Sequence, residues 1–371
     1  MMEDALKGIR ILEVGTMTPG KFTGFLLTGW GAKSLRIERP SGPQDPAIGD
    51  EDLTLNRGKQ SIALNLREPR GRDILLQLAA KADVFMESYR PGTAARLGID
   101  AEAVRALNSR IVYCSLSGFG QTGPDRLRAA YDLNQQAETG FSHALAGGGT
   151  PVTPDTYIAD SISGLMAAFA ISAALRQREI TGEGATIDLG IQESLFALLA
   201  VSHGTLRTNT PAQEHRAAYG SFEAANDTSL SLGVSRKASA DALFKHLRRP
   251  DLADEGLLRG VPGAAARAFL TEALRAKPAS DWITELAPLD IEISIVHSPE
   301  SAFDNAQLIK RAMTFETIHP IAGTLRQIGI PGVDARRLTP APLAGADTDA
   351  VLGELDYGPT EIAELKISGV I

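Results

Sequence analysis

Short apolar strands alternate with helices through the first part of this chain. The segment "GIRILEV" (8–14) has a strand pattern, and "GKFTGFLLTGWG" (20–31) has a helical pattern with Thr18 and Pro19 placed to begin it. Further strands are predicted at 33–38, 61–66, 83–87, 110–117 and 185–189. Strands separated by helices favour a mostly parallel sheet covered on both faces. We therefore predict an α/β fold with a Rossmann-like large domain.

The pattern changes after residue 205. The segments "YGSFEA" and "TSLSLGV" flank "AND" as a predicted hairpin, and amphipathic helices and the strand "IEISIVH" follow. This order predicts a smaller α+β domain. The predicted large domain comprises 1–205 plus 319–371, the small domain comprises 215–310, and the linkers are 206–214 and 311–318.

The composition limits the partners that this chain can bind. Its 371 residues, 43% of them hydrophobic, can form a substantial core. A net charge of −8 argues against nucleic acid or an anionic membrane as the main partner, although a local basic pocket can still bind a phosphorylated ligand. Because no uninterrupted apolar run reaches about 18 to 20 residues, we expect no membrane span.

Cysteine and histidine are used sparingly. Cys114 is the only cysteine, which excludes a disulfide within the chain, and the histidines lack the spacing of metal ligands. We therefore predict no metal site. The first residues, "MMEDALKGIR", lack the basic flank and apolar core of a secretory signal, so we expect a cytoplasmic protein.

The segment "SGFGQTG" contains Gly118, Gly120 and Gly123 in the spacing of a dinucleotide-binding turn. That motif needs a helix to begin within it, but Pro124 follows at once and Glu138 falls in a helical segment. A nicotinamide-dependent oxidoreductase therefore stays a minor alternative. A turn at the carboxyl end of a parallel strand still indicates the edge of a ligand site.

Asp160 stands directly before a long apolar segment that predicts a buried helix. Aspartate is a favoured N-cap, so the first interpretation of Asp160 is structural. Gly164, in the predicted first turn, costs about 1 kcal/mol relative to alanine, which indicates that another segment approaches the backbone closely there. A cap alone does not explain this glycine.

Taken together, these segments resemble the family III CoA-transferases, which include formyl-CoA transferases, carnitine CoA-transferase and α-methylacyl-CoA racemases. The similarity extends in order along nearly the whole chain. It is carried by "GIRILEVGTMTPGKFTGFLLTGWGAKSLRIERP", "LNRGKQSIALNLREPRGRDIL", "ADVFMESYRPGTAARLGI", "LNSRIVYCSLSGFGQTGP", "AYDLNQQAETG", "YIADSISG", "TGEGATIDLGIQESL" and "APLAGADTDAVLGEL". The resemblance implies two chains threaded through each other as an interlocked homodimer.

The resemblance also implies roles for particular residues. Asp160 matches the catalytic aspartate, which attacks an acyl-CoA thioester to give a mixed anhydride and then an aspartyl-CoA thioester. The implied partners are acyl-CoA and a free carboxylic acid, and no cofactor is held permanently. The positions that match CoA contacts are Thr18, Pro19, Arg39, Leu64, Arg67, Ser88, Tyr89, Arg90, Arg96, Arg128 and Tyr131.

Two further alternatives remain at this point. A racemase needs acid and base groups beside the α-carbon of the thioester, and the related racemases carry a histidine where this chain has Tyr131, before Asp132. His143 is the nearby residue that could still supply such a group. A relative that binds acyl-CoA without catalysis is the other alternative.

Overall fold

The computed structural model describes residues 2–40, 49–147, 149–203 and 215–371. By their contacts they divide into two compact units. The first unit lies within Met1–Ser142, Val152–Thr205 and Ala306–Ile371, and the second lies within His143–Pro151 and Leu206–Asn305. The predicted linker 206–214 lies outside the described residues. The domain limits predicted from the sequence stay a prediction.

A six-stranded parallel sheet forms the centre of the first unit. Its strands are β1 (Arg10–Val14), β2 (Lys33–Glu38), β3 (Gln60–Ala63), β4 (Val84–Glu87), β5 (Val112–Ser117) and β6 (Thr186–Gly190). They are ordered β3-β2-β1-β4-β5-β6, and all the pairings are parallel. The predicted α/β fold is confirmed. Because the strand order changes direction between β1 and β4, a crevice is expected at their carboxyl ends.

The helices up to residue 203 are α1 (Thr18–Gly29), α2 (Asp50–Leu55), α3 (Pro69–Ala80), α4 (Thr93–Leu97), α5 (Ala101–Leu107), α6 (Asp132–Glu138), α7 (Phe141–Leu145), α8 (Ile158–Thr181), α9 (Ile191–Leu198) and α10 (Ala200–His203). Helices α1 and α8 pack on one face of the sheet and α3 and α5 on the other, whereas most of α7 belongs to the second unit. Alternate strand residues point to opposite faces. Thus Leu12 and Phe85 belong to one buried cluster, whereas Ile11 and Met86 belong to the other.

Helix α8 packs against α1 at very short range. A Cβ atom built on Gly164 would lie 2.8 Å from the Pro19 carbonyl oxygen and 3.0 Å from a ring carbon of Phe22. The Thr23 hydroxyl donates to the Gly164 carbonyl at 3.1 Å. The close approach inferred from Gly164 is therefore present, and α1 is the neighbouring segment.

Among the described helices, α8 is also the one long and apolar enough to cross a membrane, with a mean hydropathy of 1.7. Its neighbours here are α1, α9 and β5. A core helix can pass the same test of length and composition, and α8 has the packing of one.

The second unit contains an antiparallel sheet with helices beside it. Its strands are β7 (Tyr219–Glu223), β8 (Ser229–Gly233) and β9 (Ile293–Ile295), in that order across the sheet. Its helices are α11 (Lys237–His246), α12 (Ala264–Ala273), α13 (Ala279–Leu286) and α14 (Pro299–Ala302). The predicted hairpin joins β7 and β8, and Asn226 and Asp227 adopt left-handed conformations in its turn, with φ of 58° and 54°.

The C-terminal segment returns to the first unit. It contains α15 (Ala306–Lys310), β10 (Thr314–His319), β11 (Gly323–Ile328), α16 (Thr348–Gly353) and α17 (Pro359–Ile367). Strand β10 was not predicted, because "TFETIH" mixes polar and apolar residues and acquires its hydrogen bonds from β11. Arg57 ties this hairpin to the sheet domain. Its guanidinium donates to the Ile328 carbonyl at 2.6 Å and lies over the rings of Phe25 and Phe315.

Candidate active site

An open cavity of about 1000 Å³ lies at the carboxyl ends of β1, β2, β3 and β4. Short segments that follow these strands line it, including 15–17, 39–40, 64–67 and 88–90. The cavity therefore occupies the crevice where parallel α/β sheets bind ligands. Its volume is at the upper end of the usual range for small-molecule sites.

Most of the predicted CoA contacts meet in this cavity. The lining includes Arg39, Leu64, Arg67, Ser88, Tyr89, Arg90 and Arg96. Nothing in the described ranges forms an ion pair with the arginines at 39, 67, 90 and 96. The guanidinium of Arg96 donates to the Thr93 hydroxyl at 2.8 Å, and the buried hydroxyl of Ser88 has no hydrogen-bond partner in the same residues. Planar guanidinium groups that lack a carboxylate partner suit phosphate.

Thr18 and Pro19 lie outside the cavity lining, at the start of α1. The Thr18 hydroxyl donates to Glu51 at 3.0 Å. The Lys21 ammonium contacts Glu51 at 2.9 Å and Asp52 at 2.8 Å. Met17, which lines the cavity, directly precedes Thr18. The start of α1 therefore connects the cavity wall to a cluster of charged side chains.

Asp160 belongs to the first turn of α8 and does not cap it. The helix begins at Ile158, its N-cap residue is Tyr157, and no side chain forms a capping hydrogen bond there. The capping interpretation of Asp160 is thus wrong, because the helix starts two residues before the aspartate. Instead, the backbone N–H of Asp160 donates to the Asp132 carboxylate at 2.9 Å.

The surroundings of Asp160 change its acidity. Burial is the main cause, and the negative charges of Asp132 and Glu51 add to it, so that the pKa of Asp160 is raised to about 7. Both effects disfavour the ionised form. Near neutral pH, Asp160 is thus a carboxylate of unusually high basicity, which is a property of an activated oxygen nucleophile.

Arg128 and Tyr131 lie outside the cavity lining. Arg128 pairs with Glu138 at 2.6 Å and lies over the ring of Phe119. The side chain of Tyr131 is 79% exposed. Their assignment to CoA binding, like that of the other predicted contacts, stays a prediction.

The structure adds residues that the sequence did not single out. Glu13 is 1% exposed, lines the cavity and pairs with the Lys59 ammonium at 2.9 Å. Burial lowers the pKa of Lys59 to about 8, even though the Glu13 charge opposes this change. The sequence signal for this buried pair was the presence of a glutamate inside the apolar strand segment "ILEV". Glu51 gave no comparable signal, because only the fold brings it near Asp160.

The glycine-rich turn after β5 is not a dinucleotide-binding turn. Gly120 and Gly123 adopt positive φ angles of 78° and 85°. The next helix begins only at Asp132. The turn therefore has no helix N-terminus at which a pyrophosphate could bind.

Comparisons with known proteins identify the family. Residues 6–348 match the family model described as CoA-transferase family III. A succinyl-CoA:glutarate CoA-transferase from Mus musculus is 33% identical over 99% of this chain and 90% of its own length. An acetyl-CoA:oxalate CoA-transferase from Acetobacter aceti is 30% identical over 84% of this chain and 85% of its own length.

Solved structures share the fold. A CAIB/BAIF family protein from Brucella suis has a TM-score of 0.79 at 24% identity, covering 95% of this chain and 100% of its own. Rv3272 from Mycobacterium tuberculosis has a TM-score of 0.81 at 25% identity, covering 94% of this chain and 99% of its own. The chain therefore belongs to CoA-transferase family III, and the resemblance found in its sequence is confirmed.

The raised pKa of Asp160 makes stability depend on pH. In the folded protein this pKa rises from about 3.8 to about 7, so the fold favours the protonated acid. The free energy of unfolding of the wild type therefore falls as the pH rises from about 4 to about 7, and above that range this group lowers it no further. We expect Asp160→Asn to exceed the wild type in free energy of unfolding by up to about 4 kcal/mol at about pH 8, the equivalent of this pKa change, and by little near pH 4.

Urea unfolding across this pH range measures the difference. The matched control is Asp155→Asn, which removes an exposed carboxylate from the segment that precedes α8. A gain that is independent of pH, or equal in the two variants, would contradict the assignment of a perturbed acid to Asp160.

Proposed function

We propose that this protein is an acyl-CoA:carboxylate CoA-transferase in which Asp160 is the nucleophile. The observation that carries the proposal is the environment of Asp160, a partly buried carboxylate of raised basicity in the first turn of a core helix. The relatives support the reaction class, because their names describe transfer of CoA between carboxylic acids.

The reaction needs a carboxylate oxygen and no net proton transfer. Ionised Asp160 attacks the thioester carbonyl of the donor and the C–S bond breaks. The products of this step are a mixed anhydride on Asp160 and the CoA thiolate. The thiolate then attacks the aspartyl carbonyl, which releases the donor acid and forms an aspartyl-CoA thioester. The acceptor carboxylate attacks this thioester, its C–S bond breaks, and a second mixed anhydride and CoA thiolate form. The thiolate then attacks the acceptor carbonyl of this anhydride, and the C–O bond to Asp160 breaks. The products are the new acyl-CoA and free Asp160.

The position of Asp160 on α8 suits this sequence of steps. Each attack builds negative charge on a carbonyl oxygen, and the amino-terminal end of a helix carries partial positive charge. The hydrogen bond from the Asp160 backbone to Asp132 fixes the turn that holds the nucleophile. Asp132 is a positioning residue in this scheme, because it acts through the backbone of Asp160.

We propose that the acceptor is a dicarboxylic acid and that the phosphates of CoA bind in the arginine-lined cavity. The first inference comes from the names of the relatives, in which the acid written after the acyl-CoA is glutarate or oxalate. The second comes from the guanidinium groups at the carboxyl ends of the strands, which form no ion pair with any residue that the structure describes. The racemase alternative is weaker, since the exposed Tyr131 stands where a racemase has its histidine and a phenol is a poor base at neutral pH.

We also propose that a second copy of the chain covers the outer face of α8 and α9. Leu165 and Phe169 are separated by one helical turn and are 45% and 71% exposed, and Phe196 on α9 is 62% exposed. Exposed apolar residues that form a contiguous face indicate an interaction surface. A homodimer, interlocked as the resemblance implies, accounts for them.

The first functional prediction concerns the nucleophile. Asp160→Ala should remain folded and lose CoA transfer by several orders of magnitude, because the covalent route needs the carboxylate. A labelled free acid and an acyl-CoA, followed by mass spectrometry of the thioesters, measure the transfer. Hydroxylamine added during turnover should label the peptide that contains Asp160, and Asp155→Ala should retain activity. Exchange near the wild-type rate in Asp160→Ala would rule out this mechanism.

The second functional prediction concerns CoA binding. Replacing Arg39 or Arg96 by alanine should weaken CoA binding by roughly 1.5 to 3 kcal/mol, because each change removes a charge-assisted contact from the cavity. Arg70→Ala, an exposed change on α3, is the matched control. Isothermal calorimetry measures the affinities, and unchanged affinity in both cavity variants would place the CoA site elsewhere.

The third functional prediction concerns assembly. Phe169→Asp should disfavour assembly of the dimer, so that freshly expressed protein contains monomer, because it places a charge in the centre of the proposed apolar interface. Light scattering coupled to size-exclusion chromatography determines the mass. Ile367→Asp, at an exposed apolar position on the C-terminal helix, is the control. A wild-type protein that is monomeric at all concentrations would remove the basis of this proposal.

A further inference from the structure

The second unit contains its own cavity, about 730 Å³ in volume. It is formed between the start of β7, the amino-terminal end of α12 and the segment 145–147. Its polar lining includes His215, Arg216, Tyr219 and Arg267, whereas no aspartate or glutamate lies among the described residues that line it. This composition is unusual in a chain with a net charge of −8.

The contacts that the structure describes for Arg267 are all with neutral groups. Its guanidinium donates to the carbonyls of Ala217, Tyr219 and Ser221 at 3.4, 3.3 and 3.2 Å. It also lies 4.0 Å from the centre of the Phe222 ring. These contacts fix the orientation of the guanidinium, and none of them neutralises its positive charge.

Gly220 allows this arrangement. A Cβ atom at this position would lie 2.9 Å from a terminal nitrogen of Arg267. The glycine thus lets the guanidinium lie directly against the backbone of β7, beside the cavity. Burial lowers the pKa of Arg267 from its usual value, yet a guanidinium stays charged at any physiological pH.

Arg216 adds a second positive charge to the same cavity. One of its terminal nitrogens donates to the Ser235 carbonyl at 2.6 Å, which leaves the other donors of its guanidinium available. Neither Arg216 nor Arg267 forms an ion pair with any residue that the structure describes. His215 stacks on the ring of Tyr219, with centroids 5.9 Å apart, and supplies a further polar ring.

We propose that this cavity is an anion-binding site that takes an oxyanion group of a small organic molecule, a carboxylate or a phosphate, between Arg216 and Arg267. The shared chemistry is a planar or tetrahedral set of oxygen acceptors that receives charge-assisted hydrogen bonds from two guanidinium groups. A dicarboxylic acid and CoA are the two sources that the experiment separates. The site stands on the geometry of the second unit alone and does not depend on Asp160.

Arginine footprinting tests the site directly in the full-length protein. The protein is treated with phenylglyoxal in the presence of glutarate, CoA or neither, and peptide mass spectrometry gives the modification rate at each arginine. Arg248, exposed on the same unit, is the internal control. We expect one of the two ligands to slow the modification of Arg216 and Arg267 at least threefold while Arg248 is unaffected.

The outcomes of this experiment distinguish a carboxylate ligand, a phosphate ligand and the absence of a site. Protection by glutarate alone assigns the site to a carboxylate, and protection by CoA alone assigns it to a phosphate group. Protection by neither ligand, or equal protection of Arg248, overturns the proposal. Because Arg267 also supports the fold, Arg216→Gln is the second test: it should abolish protection of Arg267, while Arg248→Gln should preserve it. Undiminished protection of Arg267 in Arg216→Gln would also overturn the two-arginine site.

Discussion

The contact between α1 and α8 is the constraint on which the candidate active site depends. Gly164 presents no side chain, so the backbone of α1 at Pro19 can approach it closely. That approach brings the start of α1, with Thr18 and its partner Glu51, to the turn that contains Asp160. A larger residue at 164 would separate the two helices and with them the charged groups at their ends.

The acidic side chains that this contact brings together destabilise the fold and increase the reactivity of Asp160. Asp132, Glu51 and Asp160 are three acids in one neighbourhood, and burial together with the charges of the other two raises the pKa of Asp160 to about 7, so that protonated and ionised forms coexist near neutral pH. Lys21 balances part of this charge by contacting Glu51 and Asp52. Sites that raise the basicity of a carboxylate in this way reduce stability, because the ionised form is poorly solvated. The same solvation deficit makes the carboxylate reactive.

Much of the fold was predictable because its signals are local. Strands β1 to β6 are short apolar segments bounded by polar residues, so their positions could be identified one by one. A helix start has a similarly local signal: Asp100, a residue type favoured at N-caps, caps α5, where its carboxylate accepts a hydrogen bond from the Ala103 N–H at 3.0 Å. Strand β10 escaped prediction because its hydrogen bonds come from β11, and the sequence of one strand does not reveal its partner.

The sequence by itself determined the parallel sheet, the edge where a ligand site is expected and the aspartate to examine, since strand periodicity and the order of motifs are properties of the chain. Tertiary structure alone decided the position of that aspartate in its helix and its acidity. It showed that Asp160 lies inside α8 and not at its cap, and that burial, together with the charges of Asp132 and Glu51, raises its pKa. It also grouped Arg216 with Arg267 around a cavity whose described lining residues include no acid. Burial and the distances between charges depend on segments far apart in the chain, so they exist only once the chain has folded.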